Sequence, residues 1–283
     1  MQRKLLCGLI GAGIQGSRSP AQHEREAEAQ GLDCVYSRID LDVLGVGADA
    51  LPELLAKTRG EGFAGVNITF PCKQVVIPLL DELSEDARAL GAVNTVVFRN
   101  GRRSGHNTDW SGFAESFRRG LPDAKRDRAV LLGAGGAGSA AAHAALRLGF
   151  GRLSVFDIDG ARAAALAAKL GERAEAGNDL EAAMAGADGL IHCTPTGMRK
   201  QPGMALKPAL IERRHWIAEV VYVPLETELL RVARAKGCRT LDGGGMAVFQ
   251  AAAAFRLFTG LEPDPERMLR HFQSMSGARG GRP

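Results

Sequence analysis

The chain has 283 residues, a formal net charge of +4 and 45% apolar residues, which is long for one domain, comfortable for two and enough for a sizeable core. The charge is spread along the sequence rather than gathered in a basic arm, and no stretch reaches membrane-spanning length, so neither a nucleic-acid nor a membrane partner is expected. Five cysteines, Cys7, Cys34, Cys72, Cys193 and Cys238, are widely spaced and form no C-x-x-C pair, which fits a reducing cytoplasm better than a disulfide framework or a zinc site.

Short apolar runs alternate with helical patterns along the whole chain, the signature of an α/β protein with mainly parallel sheets. Strands are expected at 4–10, 34–39, 65–69, 92–99, 128–132, 153–156, 189–192, 216–220 and 239–241. The first of them starts without a long apolar core or cleavage site before it, so the mature protein is expected to begin at its own start. Alanine-rich helices at 139–148 and 161–170 mark a change of composition near Asp109, which places one domain at 1–109 and a second at 110–243. A helix at 246–259 is too apolar to stand free and must pack on one of the two, while the tail Arg279-Gly280-Gly281-Arg282-Pro283 reads as basic and disordered.

In chain order, the first candidate site is G-x-G-x-x-G at Gly11, Gly13 and Gly16, followed by Ser17-Arg18-Ser19-Pro20. The helix here is expected to start late, with Ser19 as N-cap and Pro20 at its first position. Two hydroxyls beside a helix N-terminus suit a small carboxylate, and an ordinary cap accounts for the same residues. Next, Asn67 and Thr69 share one face of the strand that carries Val66, Ile68 and Phe70 on the other, and Pro71 and Lys73 follow where the ladder stops. A strand that only had to pack has no need of two polar residues and a lysine at its end.

The second G-x-G-x-x-G, at Gly133, Gly135 and Gly138, has the fuller context. It follows an apolar strand, opens a long helix whose N–H groups suit a pyrophosphate, and is followed about twenty residues later by an acid, Asp157, at the next strand end. Asp157 suits the ribose hydroxyls of NAD and repels the 2′-phosphate of NADP. The loop Cys193-Thr194-Pro195-Thr196-Gly197-Met198 follows a strand of the same domain and is placed at the nicotinamide. His23, His106, His143, His192, His215 and His271 show no metal-ligand spacing, so no metal is expected. Cys72 is read as packing.

Taken together these segments resemble the shikimate dehydrogenase family, and within it the NAD-preferring quinate/shikimate branch, over nearly the whole chain. Ser17-Arg18-Ser19-Pro20 is similar to the family's S-x-S-P segment, Asn67-Ile68-Thr69-Phe70-Pro71-Cys72-Lys73 to its N-x-T-x-P-x-K segment, and Gly91-Ala92-Val93-Asn94-Thr95 to its G-A-V-N-T segment. Gly105-His106-Asn107-Thr108-Asp109 resembles G-x-N-T-D, and Asp242-Gly243-Gly244-Gly245-Met246, with Gln250 beyond it, completes the order.

The resemblance implies an N-terminal α/β substrate domain to which residues 244–283 return, a Rossmann-type parallel-sheet cofactor domain, and a cleft between them. It implies a catalytic pair, Lys73 and Asp109. Ser17, Ser19 and Thr69 would hold the carboxylate side of the ring acid, Asn94 and Asp109 its hydroxyls, and Tyr222 and Gln250 its cofactor side, with Asn67 and Lys73 also binding the substrate. Gly133, Ala134, Gly135, Gly136, Ala137, Gly138, Asp157, Arg162, Pro195, Thr196, Gly197, Met198, Val220, Gly243 and Met246 would hold the cofactor. Shikimate, 3-dehydroshikimate and quinate are the implied substrates, and a homodimer is left open.

Two departures matter. NADP-dependent relatives carry an N-R-T-type clamp where this chain has Asp157, Ile158 and Asp159, so NAD is favoured and NADP is the alternative. Ser19 is the shikimate-type residue of S-x-S-P, which makes quinate the secondary substrate. An amino-substituted ring acid, or a binding protein that senses ring acids without turnover, are the rival readings; the second is disfavoured because Lys73, Asp109, Asn94 and the glycine turn are intact together.

Overall fold

The computed structural model describes residues 4–277, so the basic tail at 279–283 lies outside it. The backbone divides into two units, Met1–Thr108 with Gln250–Pro283, and Asp109–Phe249.

The first unit runs β1 (Leu5–Gly11), α1 (Ser19–Ala29), β2 (Cys34–Asp40), α2 (Leu41–Leu44), α3 (Leu51–Gly60), β3 (Gly65–Ile68), α4 (Cys72–Val75), β4 (Glu82–Leu83), α5 (Glu85–Leu90), β5 (Thr95–Arg99) and β6 (Arg102–His106). Its sheet has the order β2-β1-β3-β5-β6-β4 and is mixed, with three of its five neighbouring pairs parallel. Strands β1, β2 and β3 are parallel, whereas β5 runs antiparallel to both β3 and β6. The unexpected strand β6 follows from the Asn100-Gly101 turn, whose two residues have φ of 52° and 76° and so match the twist of a tight hairpin. Strand β3 stops at Ile68, one residue early, and Phe70 points outward at 74% exposure.

The second unit continues with α6 (Asp109–Gly120), β7 (Arg128–Leu132), α7 (Gly136–Arg147), β8 (Arg152–Phe156), α8 (Gly160–Leu170), β9 (Ala174–Ala176), α9 (Leu180–Gly186), β10 (Gly189–His192), β11 (Trp216–Glu219), α10 (Glu228–Ala235) and β12 (Arg239–Leu241). All neighbouring strands are parallel in the order β12-β11-β10-β7-β8-β9, the doubly wound dinucleotide-binding order. Helices cover both faces, so the central strands β7, β10 and β11 are buried without alternation. Leu131, Val155 and Ile191 meet the alanines of α7 on one face, while Val130, Leu132 and Leu190 meet Leu229, Leu230 and Ala233 of α10 on the other. The methyl side chains of α7 let that helix lie close to the sheet, and Phe117, Phe150 and Trp216 fill the space beside it edge to face.

The last two helices are α11 (Gly243–Thr259) and α12 (Pro265–Gly277). The expectation that the apolar helix packs on one unit is corrected, because Met246 joins the core of the second while Ala254 and Phe258 join that of the first. Gly65 admits the Phe258 ring, since a Cβ there would lie 2.6 Å from it. Helix α12 is tied to α1 by Arg267, which donates to the buried Glu26 carboxylate at 2.7 and 2.9 Å.

Candidate active site

In the first unit the polar residues gather at one end of the sheet because of strand direction. β1 and β3 are parallel, so Ser17 and Ser19 after β1 and Thr69 and Lys73 after β3 leave from the same edge. β5 starts at that edge because it runs the other way, which brings Asn94 there, and β6 ends there, which brings Asn107 and Thr108. Gly11 allows the crossing: a Cβ on it would lie 2.3 Å from Thr69 Cγ2. The amides of Ala12 and Thr69 then bond to the carbonyls of Phe70 and Ile10 at 2.8 and 2.9 Å.

A buried polar network fixes this edge. Tyr36 Oη donates to Asn67 Oδ1 at 2.7 Å, and Asn67 Nδ2 donates to the Asn94 carbonyl at 3.2 Å and to Thr95 Oγ1 at 2.9 Å. Asn94 Nδ2 donates to Thr108 Oγ1 at 2.9 Å, while Asn94 Oδ1 accepts the Thr108 amide at 2.7 Å. Thr108 is thus held directly before Asp109, and the Lys73 carbonyl accepts the Val93 amide at 2.8 Å. Both N–H groups of Asn67 are committed within the protein. Burial raises the Tyr36 phenol well above its ordinary pKa, which keeps it a neutral donor. Thr95 and Thr108 enter from the sequence only as letters of the G-A-V-N-T and G-x-N-T-D segments, and Tyr36 does not enter at all, since it is an ordinary strand residue until the fold pairs it with Asn67.

The expected cap of α1 is corrected. Ser19 is already helical, the boundary residue is Arg18, and no side chain caps the helix. The Ser17 hydroxyl instead accepts the Ser19 amide and donates to the Ser19 hydroxyl, both at 3.2 Å, which couples the serine pair. The first glycine loop is closed by the chain itself. Asp40 at the end of β2 accepts from the amides of Gly13 and Ile14 at 3.1 and 3.0 Å and from Gln15 Nε2 at 2.9 Å. The Gln15 amide group and then the backbone amides hold this carboxyl below the usual carboxylate range. A protein carboxylate therefore occupies the donors that a phosphate would need.

The second glycine loop is built differently. Gly133 has φ of 97° and lies against the Cys193 carbonyl, and a Cβ on Gly138 would fall 1.8 Å from the Gly133 carbonyl oxygen. Gly135 is exposed, has no heavy atom within 4 Å of a built Cβ, and begins α7 without a side-chain cap. One glycine makes the turn, one packs the helix, and the middle one leaves room for a ligand at the helix N-terminus. Asp157 accepts the Ala134 amide at 2.7 Å and the Asp159 amide at 2.9 Å, so its carboxylate sits on the loop.

Residues 9–96 match the profile described as "Shikimate dehydrogenase substrate binding domain", and residues 243–271 match "Shikimate 5'-dehydrogenase C-terminal domain". A shikimate dehydrogenase (NADP(+)) of Streptomyces avermitilis is 58% identical over 98% of this chain and 97% of its own length. The chain belongs to the shikimate dehydrogenase family. A quinate/shikimate dehydrogenase (NAD(+)) of Corynebacterium efficiens is 52% identical over 96% of this chain and 98% of its own. The quinate dehydrogenase of Corynebacterium glutamicum, solved in complex with NAD, superposes with a TM-score of 0.92 at 49% identity, covering 96% of this chain and all of that one.

Within this shikimate dehydrogenase family member the remaining candidates fall in distinct places. Arg162 pairs with Asp159 at 3.4 Å, both largely exposed, and Ile158 beside them is fully exposed. In the 193–198 loop, the Thr196 amide donates to Thr194 Oγ1 at 3.2 Å and the Gly197 amide to the Gln201 carbonyl at 2.7 Å, with Pro195 and Met198 exposed. Gly243 opens α11 directly against the Val220 carbonyl, where a Cβ would lie 2.3 Å from the oxygen. Gly136 and Ala137 form the first turn of α7. Met246 is buried in the core of its unit, and Tyr222 and Gln250 are half-buried. Cys72 is buried in the first core, and burial raises its thiol pKa, which agrees with packing. Among the described residues no group of three or more His, Cys, Asp or Glu is arranged to hold a metal, and no helix is long and apolar enough to cross a membrane.

Proposed function

We propose that this protein interconverts shikimate and 3-dehydroshikimate with NAD, and accepts quinate as a secondary substrate. The observation that carries the reading is the sheet edge that gathers Ser17, Ser19, Thr69, Lys73 and Asn94 beside the buried network leading to Asp109.

A bound nicotinamide supplies the hydride acceptor. What the chain must supply is a proton acceptor, a clamp for the ring and a dry, fixed frame. Lys73, as the neutral amine, takes the alcohol proton as the hydride leaves, and Asp109 holds the ammonium so formed by a charge-assisted hydrogen bond. The coupled hydroxyls of Ser17 and Ser19, with Thr69, take the carboxylate, and Asn94 with Asp109 takes ring hydroxyls. Asn67 serves as frame, since both its N–H groups are spent on Asn94 and Thr95. Tyr222 and Gln250 close the substrate from the cofactor side.

The glycine loop from Gly133 to Gly138 holds the pyrophosphate. Each oxygen of Asp157 accepts one backbone amide and keeps a lone pair for a ribose hydroxyl. Overall identity does not choose the cofactor, because similar relatives are named for NADP and for NAD. The local charges do: Asp157 and Asp159 stand where a 2′-phosphate would need cations, and the one arginine, Arg162, is matched by Asp159. Five unpaired thiols suit a cytoplasmic enzyme.

Initial rates with shikimate and quinate, each against NAD and NADP, test the reading. The shikimate–NAD pair is expected to give the highest kcat/KM. A higher value with NADP would favour the NADP-linked reading, for which the 58% identical relative speaks, and absence of turnover with all four pairs would reject the assignment.

A further inference from the structure

His192 and Glu219 end the neighbouring strands β10 and β11, directly opposite each other in register, and are 1% and 2% exposed. Neither belongs to a motif used above. His192 Nδ1 lies 2.8 Å from Glu219 Oε1, and Nε2 lies 2.6 Å from Thr194 Oγ1. Glu219 Oε1 also accepts the amides of Val220 and Val221, both at 2.9 Å, and Oε2 accepts the Thr227 hydroxyl at 3.0 Å. Thr227 in turn caps α10 by accepting the Leu230 amide at 3.3 Å.

The donors can be counted. An oxygen that accepts two backbone amides is an acceptor, so the third bond to it comes from Nδ1–H of His192. Nε2 shares a hydrogen bond with the Thr194 hydroxyl, whose oxygen also accepts the Thr196 amide. The chain of bonds therefore runs without a gap from the 193–198 loop through the imidazole to the carboxylate that holds the amides of the 220–221 stretch. Burying two ionisable side chains is costly, and apolar residues at these strand ends would pack without that cost. Fixing two loops to one centre is what the polar pair adds.

We propose that His192 and Glu219 are a positioning pair that sets the 194–198 loop and the 220–222 stretch at the nicotinamide end of the site. The proposal rests on the reading above that the 193–198 loop lies at the nicotinamide, that Val220 holds the cofactor and that Tyr222 meets the substrate from the cofactor side. It predicts loss of hydride-transfer geometry, without loss of adenosine-side affinity, when the hydrogen-bond chain is cut.

Thr194 is the place to cut, because it is half-buried and its replacement leaves the buried pair intact. Thr194→Val keeps the shape and removes the hydroxyl, while Thr194→Ser keeps the hydroxyl and removes a methyl. With shikimate and NAD, Thr194→Val is expected to lower kcat by roughly 10–100-fold, the size of effect that small misplacement of reacting groups produces. Thr194→Ser should keep at least about ten times the turnover of Thr194→Val, while the Kd for ADP-ribose, which lacks the nicotinamide, stays within about twofold in both. In cofactor-free protein, the Thr196 amide should exchange its hydrogen faster in Thr194→Val than in wild type or Thr194→Ser.

A valine variant as active as the serine variant, the order that packing alone demands, would overturn the proposal. So would a loss of ADP-ribose affinity in step with kcat, or unchanged exchange at Thr196. Failure of the wild-type protein to bind ADP-ribose would instead reject the cofactor site itself, and the amide-exchange comparison would still judge the hydrogen-bond chain.

Discussion

Acidification should destabilise the first unit through one buried ring. His23 on α1 is 1% exposed, its centroid lies 4.7 Å from that of Tyr36, and Phe255 and Phe258 flank it at 6.1 and 5.8 Å. Its Nε2 has no hydrogen-bond partner. Burial without a partner favours the neutral ring and lowers the pKa from 6.5 to about 3. Because the folded value lies below the unfolded one, the unfolded chain binds the extra proton between them, so stability rises with pH. The contribution is complete above the unfolded value and is lost as pH falls from 6.5 toward 3. At about 1.4 kcal/mol per pH unit, going from pH 7 to pH 5 should remove roughly 2 kcal/mol through this group alone. His106, His215 and His271 are also lowered by burial, so the measurement compares wild type with His23→Phe, which cannot titrate. Urea unfolding at both pH values, followed by far-ultraviolet circular dichroism, should show the wild type losing about 2 kcal/mol more than the variant. Equal losses, or a His23 ring resonance that titrates near 6.5, would refute the assignment of a buried neutral imidazole.

The remaining predictions concern the site. Lys73→Ala should lower turnover about 10²–10⁴-fold, the usual share of a general acid–base group, while NAD affinity by titration calorimetry stays near wild type; a variant keeping more than about a tenth of wild-type turnover would remove Lys73 from this role. Asp157→Asn keeps one acceptor oxygen for the Ala134 amide, gives up the one facing the Asp159 amide and removes the charge, and should raise the ratio of kcat/KM for NADP over NAD by about tenfold or more; an unchanged ratio would move cofactor choice to Arg162 or elsewhere. Ser19→Thr should shift the shikimate/quinate ratio of kcat/KM more than it shifts NAD affinity, because quinate's extra hydroxyl needs a partner near Ser17, Ser19 and Thr69, and a buried unpaired hydroxyl costs on the order of 1–3 kcal/mol. A ratio indifferent to that substitution would show that the serine pair does not set the choice.

Local patterns carried much of the fold in this sequence. The strands at 128–132 and 189–192 are legible to the residue, because each lies in the middle of a sheet covered on both faces and reads as a mostly apolar run between turn residues; the edge strand at 239–241 is also placed to the residue. The loop at Gly133–Gly138 is legible for the same kind of reason, since its strand, turn, helix and acid are contiguous and each glycine answers a local steric need. Strand β6 was hidden because Arg102-Arg103-Ser104-Gly105-His106 has no apolar alternation, although the Asn100-Gly101 turn before it was a sufficient signal.

Tertiary structure alone decided what depends on partners far apart in sequence. The glycine spacing of Gly11, Gly13 and Gly16 is the same as that of Gly133, Gly135 and Gly138, and only the fold brings Asp40 onto the amides of the first loop and leaves Gly135 open in the second. Asn67 reads as a ligand-binding residue from its place at a strand end, yet strand pairing directs both its N–H groups to Asn94 and Thr95. His192 and Glu219 stand 27 residues apart and carry no spacing signal; parallel pairing of β10 and β11 makes them neighbours. A hydrogen bond needs its partners within about 3 Å, and spacing along the chain fixes that distance only within a turn or a helix, so polar pairs across a sheet become visible only when the strands are in register.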